Sequence, residues 1–428
     1  MEKSEFKTYG YRWIMLVVYM FIVAINQLLW ITFAPITSEA VNYYGVSELW
    51  IGILSMSFMV VFILFSIPAS WIIDRYGIRI GVGIGAVLTG SFGLIRGFAS
   101  TNFEVLLAAQ IGIAIGQPFL LNAITKLSAR WFPINERATA SGLGTLSMYV
   151  GILAGMILTP YLSLSMGIGG MLYTYGILSV IAAAIFVLFA KEGPPTAPCL
   201  PGQEERALVL DGFKIIFRSR DFLLLMFIFF IGLGVFNSVT TWIEAILNPR
   251  NISIVQAGIV GGVMITAGIA GALIIPFLSD HFRKRVPFIQ IALLGATIGL
   301  IGISFSTNFS VILLSGGILG FFLLSSGPIG FQYGAEITYP ASEGSSNGLL
   351  LMMGQISGIA FIFGMDIFKS KTDGSMGNPL MVLIGLMVIS LIASTRLKES
   401  VMVGKPEPAD LEDLVLLEDW KLRNSKRL

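Results

Sequence analysis

Charged residues are scarce in this sequence: they make up 12% of its 428 residues, whereas a soluble domain carries about 25%. Cys199 is the only cysteine, so a disulfide framework and a thiolate metal cluster are excluded. His281 is the only histidine and lies in a basic loop, which argues against a Ser-His-Asp triad. No G-x-x-x-x-G-K-S/T phosphate loop occurs, which excludes direct use of ATP. We therefore expect no enzyme and no resident cofactor or metal.

Apolar residues take the place of charge: 55% of the chain is hydrophobic, and the mean hydropathy is +0.84. A helix needs about 20 apolar residues to cross a bilayer, and twelve such runs occur, the first over 12–36 and the last over 378–396. Each run must be helical, because hydrocarbon offers no water to free backbone groups. The first run is too long for a signal peptide and lacks a cleavage site. The sequence predicts an all-α membrane protein with twelve transmembrane helices.

The positions of Lys and Arg predict how these helices are oriented. With a cytoplasmic N-terminus, only Arg96, Arg250, Lys369 and Lys371 of the 27 basic residues fall on the other side of the membrane. Cytoplasmic loops carry the excess of basic residues in membrane proteins. We therefore expect a multi-pass protein of the cell membrane with both termini in the cytoplasm. The same rule accounts for the basic C-terminal tail, so we expect no nucleic-acid partner.

A polar break over 191–220, rich in proline and charge, has six apolar runs before it and six after it. Such a composition is typical of a linker. We expect an N-terminal six-helix bundle over 1–190, a cytoplasmic linker over 191–220, a C-terminal bundle over 221–396 and a cytoplasmic tail over 397–428.

The two halves share landmarks at a nearly constant offset. Asp74 ends the second run, and Asp280 ends the eighth run 206 residues later. Glu136 ends the segment Pro-Ile-Asn-Glu after the fourth run, and Glu343 ends Pro-Ala-Ser-Glu 207 residues later. These pairs indicate an internal repeat of six helices.

Two such repeats are the arrangement of the major facilitator superfamily, which the chain resembles over its whole spanning region. The superfamily's loop signature, G-x-x-x-D-R-x-G-x-R/K, is met by Asp74, Arg75, Gly77 and Arg79, with Ser70 in place of the first glycine. The resemblance implies two pseudo-symmetric six-helix bundles and transport by alternating access between them.

The charged residues of the repeated loops are candidate gates. We expect Asp74 to lie beside the start of the eleventh helix, near Ser345, because free N–H groups there carry partial positive charge. Such a contact, worth about 0.3–1 kcal/mol when exposed, would hold the bundles together on the cytoplasmic side. The alternative is that these charges only set the topology. The residues assigned to gating are Asp74, Arg75, Arg79, Asp280, Glu136 and Glu343.

Polar and aromatic residues inside the runs mark a candidate substrate site, since contact with lipid is expensive for polar groups. The set is rich in amides and rings and poor in charge, and aromatic rings favour a quaternary ammonium ligand. An organic anion would need Arg or Lys at mid-depth, where only Lys126 comes near. The residues assigned to substrate binding are Trp30, Asn26, Gln117, Phe236, Trp242 and Gln355.

One acidic residue within the runs is a candidate for coupling to an ion. Glu244, towards the outer end of helix 7, is a possible coupling residue, because proton-driven carriers hold a carboxylate inside the membrane. Helix 5 lacks the Gly-Pro pair of the drug-antiporter signature, since Met156 follows Gly155. This pattern favours a facilitator that follows the gradient of its substrate.

Several stretches resemble, more closely, the feline leukaemia virus subgroup C receptor family of choline and haem-associated transporters. The strongest is Ala-Glu-Ile-Thr-Tyr-Pro-Ala-Ser-Glu-Gly over 335–344. The resemblance implies that Trp30 matches the family's cage tryptophan and that Gln117 and Gln355 match its binding glutamines. The family's helix-7 tyrosine does not carry over, because Val239 takes its place. The choline cage is therefore only partly reproduced.

The leading hypothesis is a monomeric carrier of a small choline-like organic cation, surrounded by membrane lipid. An exporter of haem or another amphiphile is a second hypothesis, and it predicts a wide apolar cavity that does not depend on Trp30. A non-transporting membrane receptor or sensor on the same fold is a third, although the short tail argues against it.

Overall fold

A computed structural model describes residues 8–99, 101–133, 136–196, 216–339, 341, 343–370 and 374–400. Regular structure in these residues is helical, as the sequence predicts. Most of the expected linker and nearly all of the expected tail lie outside the described residues, and so does the side chain of Glu343.

Eleven helices are long and apolar enough to cross a membrane, counted over the described residues. One of them, Arg137–Phe189, has 53 residues and would measure about 80 Å if straight, far more than a hydrocarbon core of about 30 Å. Gly167 interrupts it with a φ of 72°, a left-handed conformation that glycine adopts without steric cost. The segment is therefore two spans, and the total of twelve agrees with the sequence.

The spans are numbered α1 to α12 in chain order. Their bounds are α1 Tyr11–Ile31, α2 Glu48–Tyr76, α3 Ile78–Phe98, α4 Phe103–Leu121, α5 137–166, α6 168–189, α7 Arg220–Thr241, α8 Ile254–His281, α9 Val286–Phe305, α10 Phe309–Thr338, α11 Glu343–Phe368 and α12 Gly377–Ser394. The first bundle is α1–α6, and the second is α7–α12.

Three spans are interrupted where the sequence predicts continuous helices. After Ile31 the chain passes through the 3-10 turn Ala34–Ile36 before the short helix Thr37–Tyr44. Pro35 lies in that turn and lacks the N–H that a regular helix would need. Comparable breaks follow Leu121 of α4 and Thr241 of α7, each before a short helix, Ile124–Trp131 and Ile243–Leu247.

Glycine allows helices within each bundle to approach closely. A Cβ on Gly151 of α5 would lie 2.1 Å from the carbonyl oxygen of Ala24 in α1. In the second bundle, a Cβ on Gly320 of α10 would lie 1.8 Å from the carbonyl oxygen of Met264 in α8. Small residues serve this purpose in membranes, where packing replaces the hydrophobic effect as the driving force.

The loops 74–79 and 280–285 lie at the same ends of their bundles, and we call that side the basic face and the other the opposite face. The two bundles touch towards the opposite face. A Cβ on Gly258 of α8 would lie 2.4 Å from the carbonyl oxygen of Met156 in α5, and one on Gly358 of α11 would lie 2.5 Å from Sδ of Met59 in α2. Both contacts are in the helix halves away from the basic loops.

Candidate functional site

Trp30 lies at the end of α1, directly before the break in that helix. Its side chain is 6% exposed, and its Nε1 donates a hydrogen bond to the carbonyl oxygen of Ser55 in α2, 3.2 Å away. The indole N–H is thus used inside the first bundle. A ligand would therefore meet the ring face rather than the N–H group.

Asn26, one turn earlier in α1, is fully buried within the first bundle. Its Nδ2 donates to Oγ1 of Thr89 in α3 at 3.1 Å and to the carbonyl oxygen of Ile113 in α4 at 3.4 Å. Its Oδ1 accepts a hydrogen bond from Gln27. In this conformation Asn26 ties three helices together, and its contact with substrate stays a prediction.

Gln117 of α4 and Gln355 of α11 are the two glutamines assigned to substrate. Gln117 is 7% exposed, and Gln355 is half-buried. Within the described part of the chain, neither side-chain amide makes a hydrogen bond. Neither amide is among the fully buried polar groups that lack a partner, so both can be reached by a polar ligand.

The two aromatic residues assigned at the end of α7 have different surroundings. Trp242 is buried, and its Nε1 donates to the carbonyl oxygen of Ile362 in α11 at 3.1 Å. Its ring packs on Gly52 of α2, where a Cβ would lie 2.6 Å from Cζ2. Trp242 therefore seals the contact between the bundles, whereas Phe236, 8% exposed, lies one and a half turns deeper.

Asn237, which follows Phe236, was not among the residues assigned from the sequence. Its Nδ2 donates to the carbonyl oxygen of Gly354 at 3.1 Å, next to Gln355 in the chain. The Oδ1 atom is without a hydrogen-bond partner in the described residues. A polar residue within an apolar helix, next to Phe236, is the sequence feature that could have assigned Asn237 to the candidate site.

Arg96 is a buried cation, whereas the sequence predicts only that it lies on the non-cytoplasmic side of the membrane. It is fully buried in α3. Its guanidinium donates to the carbonyl oxygen of Leu29 at 2.9 Å, to Oε1 of Gln110 at 2.8 Å and to Oγ1 of Thr32 at 3.2 Å. The carbonyl end of a helix carries partial negative charge. Arg96 thus stabilises the broken end of α1 beside Trp30.

Glu244 makes a polar contact between the bundles on the opposite face. It is 1% exposed. Its carboxylate accepts hydrogen bonds from the backbone N of Ser38 at 3.0 Å and from Oγ of Ser38 at 2.6 Å. Ser38 lies in the first turn of Thr37–Tyr44, where free N–H groups favour an anion.

Lys369, after α11, makes a second polar contact between the bundles. Its Nζ lies 2.9 Å from Oε2 of Glu48 in the first bundle and 2.7 Å from Oδ1 of Asp366 in its own. Burial alone would lower the pKa of Lys369, but the hydrogen bonds and charges of the two carboxylates outweigh burial and raise it. We call the Ser38–Glu244 and Glu48–Lys369 contacts the opposite-face bridges.

The loop 74–79 of the first bundle makes contacts within that bundle. Asp74, whose side chain is 58% exposed, pairs with Nζ of Lys126 at 3.4 Å. Arg75 lies over the ring of Trp71, 5.5 Å from its centroid. The backbone N of Arg79 donates to Oε2 of Glu192 at 2.9 Å. The predicted contact of Asp74 with the start of α11 stays a prediction.

The basic loop of the second bundle likewise makes its contacts within its own bundle. Arg285 pairs with Asp280 and, at 3.1 Å, with Glu336; burial lowers the pKa of Arg285, but the two carboxylates outweigh it and raise that pKa. The backbone N of Arg285 donates to Oε1 of Glu399 at 2.7 Å. Glu399 lies 207 residues after Glu192, so each bundle uses an equivalent glutamate to cap the helix after its basic loop.

Glu136 forms a two-pronged ion pair with Arg12 at the start of α1. The Arg12 Nε atom lies 2.9 Å from Oε2, and Nη2 lies 3.2 Å from Oε1. Such paired geometry is the stronger form of Arg–carboxylate contact. Among the described residues, no group of three or more His, Cys, Asp or Glu side chains could hold a metal ion.

The chain is similar in sequence to known membrane transporters. A family model described as Major Facilitator Superfamily matches residues 16–362. An uncharacterized MFS-type transporter of Caenorhabditis elegans is 30% identical over 386 residues, which is 86% of this chain and 66% of that protein. The choline/ethanolamine transporter FLVCR1 of Felis catus is 27% identical over 420 residues, 92% of this chain and 74% of that one.

A solved structure shares the fold. It is a bacterial homolog of the human lysosomal transporter Spinster in an inward-facing, unoccupied conformation. The TM-score is 0.75 at 17% sequence identity, and the match covers 94% of this chain and 100% of that one. At this identity the likeness concerns the arrangement of helices.

Proposed function

The chain belongs to the major facilitator superfamily of membrane transporters, and on that premise we propose that it carries a choline-like organic cation by alternating access. Its site would lie between the bundles, with Trp30 and Gln117 on one side and Phe236 and Gln355 on the other. The observation that carries the proposal is that the side-chain amides of Gln117 in the first bundle and Gln355 in the second have no hydrogen-bond partner in the described residues.

The chemistry of these residues suits a cation without a strong need for hydrogen bonds. The N–H of Trp30 is already bonded to Ser55, which leaves the π-face of the ring for a ligand. A quaternary ammonium over such a face gains about 0.5–2 kcal/mol. Amide oxygens of Gln117 and Gln355 would accept from a hydroxyl or amine. Arg96 is fully buried in the first bundle, where its two Nη atoms donate to carbonyl, amide and hydroxyl oxygens and its Nε has no partner among the described residues, so we do not assign it to an anionic substrate. Relatives named as choline/ethanolamine transporters support the same substrate class.

The conformation supports alternating access with the basic face open. The opposite-face bridges and the Trp242–Gly52 contact join the bundles on one side, while Asp74 and Arg285 make their ion pairs within their own bundles. We place the basic face in the cytoplasm, with both termini, on the positive-inside rule. Asp74, Arg75, Arg79, Asp280, Glu136 and Glu343 would then close the cytoplasmic side in the other half of the cycle.

Uptake of labelled choline into vesicles that contain the purified protein tests the substrate proposal. We expect flux in the parent and a loss of roughly two- to thirty-fold in Trp30→Ala, the factor that corresponds to about 0.5–2 kcal/mol for the missing π-face. Trp50→Ala is the matched control, since Trp50 is an exposed tryptophan of α2 and its loss should leave flux intact. Equal flux in Trp30→Ala and the parent would contradict the proposal. An absence of choline flux while haem or another amphiphile moves would assign a different substrate, and binding without flux would indicate a receptor.

A further inference from the structure

A groove of about 660 Å³ opens on the outside of the first bundle, between α3 and α6 at the basic face. Its walls are apolar and include Ile84, Val87 and Val187. Tyr76, Arg79 and Glu192 line its end nearest the loop. The groove is separate from the candidate substrate site, which lies between the bundles.

The groove exists because α3 and α6 diverge towards the basic face. Nearer the opposite face they are in close contact: a Cβ on Gly93 would lie 2.2 Å from Oγ of Ser179, and one on Gly97 would lie 2.9 Å from Cα of Tyr173. At Gly83, which lines the groove, a Cβ would meet no atom within 4 Å. The missing side chain at Gly83 leaves part of the groove open to the bilayer.

The end of the groove carries an excess of positive charge. Arg75 and Arg79 are exposed, and in the described part of the chain neither guanidinium forms an ion pair. The nearby carboxylate of Glu192 is already engaged by the backbone N of Arg79 at 2.9 Å and by Arg130 at 3.6 Å. Arg79, which lines the groove, and the nearby Arg75 thus have no ion-pair partner among the described residues at the end of the groove that meets the membrane surface.

We propose that this groove binds one anionic phospholipid, with an acyl chain between α3 and α6 and its phosphate on Arg79 and Arg75. Arginine suits phosphate because its planar donors match the phosphate oxygens. Trp71 and Tyr76 lie beside the guanidinium group of Arg75, and aromatic residues are enriched at the depth of lipid headgroups. A free phosphate would bind the arginines but leave the apolar groove empty. A neutral lipid would fill the groove but offer no net negative charge to the arginines.

Native mass spectrometry of the full-length protein with added palmitoyl-oleoyl phosphatidylglycerol or phosphatidylcholine tests this site. We expect the parent to retain one phosphatidylglycerol in preference to phosphatidylcholine. Arg79→Gln should retain it about five-fold less tightly, the factor that corresponds to about 1 kcal/mol for one basic side chain at an anionic surface. Gly83→Leu should also lose it, because the leucine side chain would occupy part of the groove and its Cβ would meet no atom within 4 Å.

Two matched variants control for general effects. Lys284→Gln removes an exposed basic residue from the other basic loop, and Gly385→Leu adds the same side chain to an exposed face of α12, where a Cβ meets no atom within 4 Å. Both should retain the lipid as the parent does. Undiminished retention in Gly83→Leu would overturn the proposal, and so would equal retention of the two lipids by the parent. The two test variants change different parts of the site, so misfolding of one leaves the other decisive.

Discussion

The Ser38–Glu244 contact predicts how far the closed conformation of the opposite face depends on one carboxylate. Glu244→Gln keeps the size of the side chain and one acceptor oxygen but removes the charge that receives two hydrogen bonds from Ser38. Hydrogen bonds to charged groups contribute about 1.5–3 kcal/mol each. Because the group is almost fully buried, solvent screening is weak. We expect a loss of about 1.5 kcal/mol, which raises the population open at the opposite face about ten-fold.

Cysteine labelling measures this shift. Thr240 is fully buried in α7, one turn before Glu244, and should become accessible when the opposite face opens. In a Cys199→Ser background, we expect Thr240→Cys to react about ten-fold faster with a membrane-impermeant thiol reagent when Glu244→Gln is added.

Glu104→Gln is the control for that experiment, because Glu104 is an exposed glutamate in the first turn of α4, on the same face. It should leave the labelling rate of the Thr240→Cys protein unchanged. An unchanged rate in Glu244→Gln, or the same increase in Glu104→Gln, would refute the assignment of Glu244 to closure of this face.

Three further predictions follow from other contacts. The pKa of Lys369 is raised, so the Glu48–Lys369 contact stabilises the closed opposite face fully below the ordinary lysine pKa of 10.5 and is lost as the pH rises through the raised value. We therefore expect labelling of the Thr240→Cys protein to increase at alkaline pH, and Lys369→Met should abolish that increase. Persistence of the increase in Lys369→Met would point to another group. Arg96→Met should lower the free energy of unfolding by about 1–3 kcal/mol, because it leaves buried oxygens without donors; thermal unfolding in detergent checks this, and Arg96→Lys should fall between the variant and the parent. Gly151→Ala should destabilise the first bundle by about 1–3 kcal/mol through overpacking, which would appear as a lower melting temperature. Gly385→Ala is the control and should leave the melting temperature unchanged. Equal melting temperatures for the two variants would contradict the close approach of α1 and α5.

The elements that the sequence predicts well are those set by local chemistry. Twelve spans follow from apolar length because hydrocarbon forces each segment to satisfy its own backbone groups. The repeat was visible in Asp74 and Asp280, and the structure extends it to Glu192 and Glu399, which cap equivalent helices. The family assignment follows from the same loops and is confirmed by the match over 16–362.

The sequence by itself therefore determined the helices, their number and the class of protein. The tertiary structure alone decided which side chains meet: Ser38 with Glu244 across 206 residues and Lys369 with Glu48 across 321. It also showed that the amide of Asn26 is used within the first bundle and that Arg96 is buried against the end of α1. The physical reason is that hydropathy records only whether a segment suits lipid. The partner of a buried polar group depends on helix rotation and on where a helix breaks, and those are set by packing between segments that are distant in the chain.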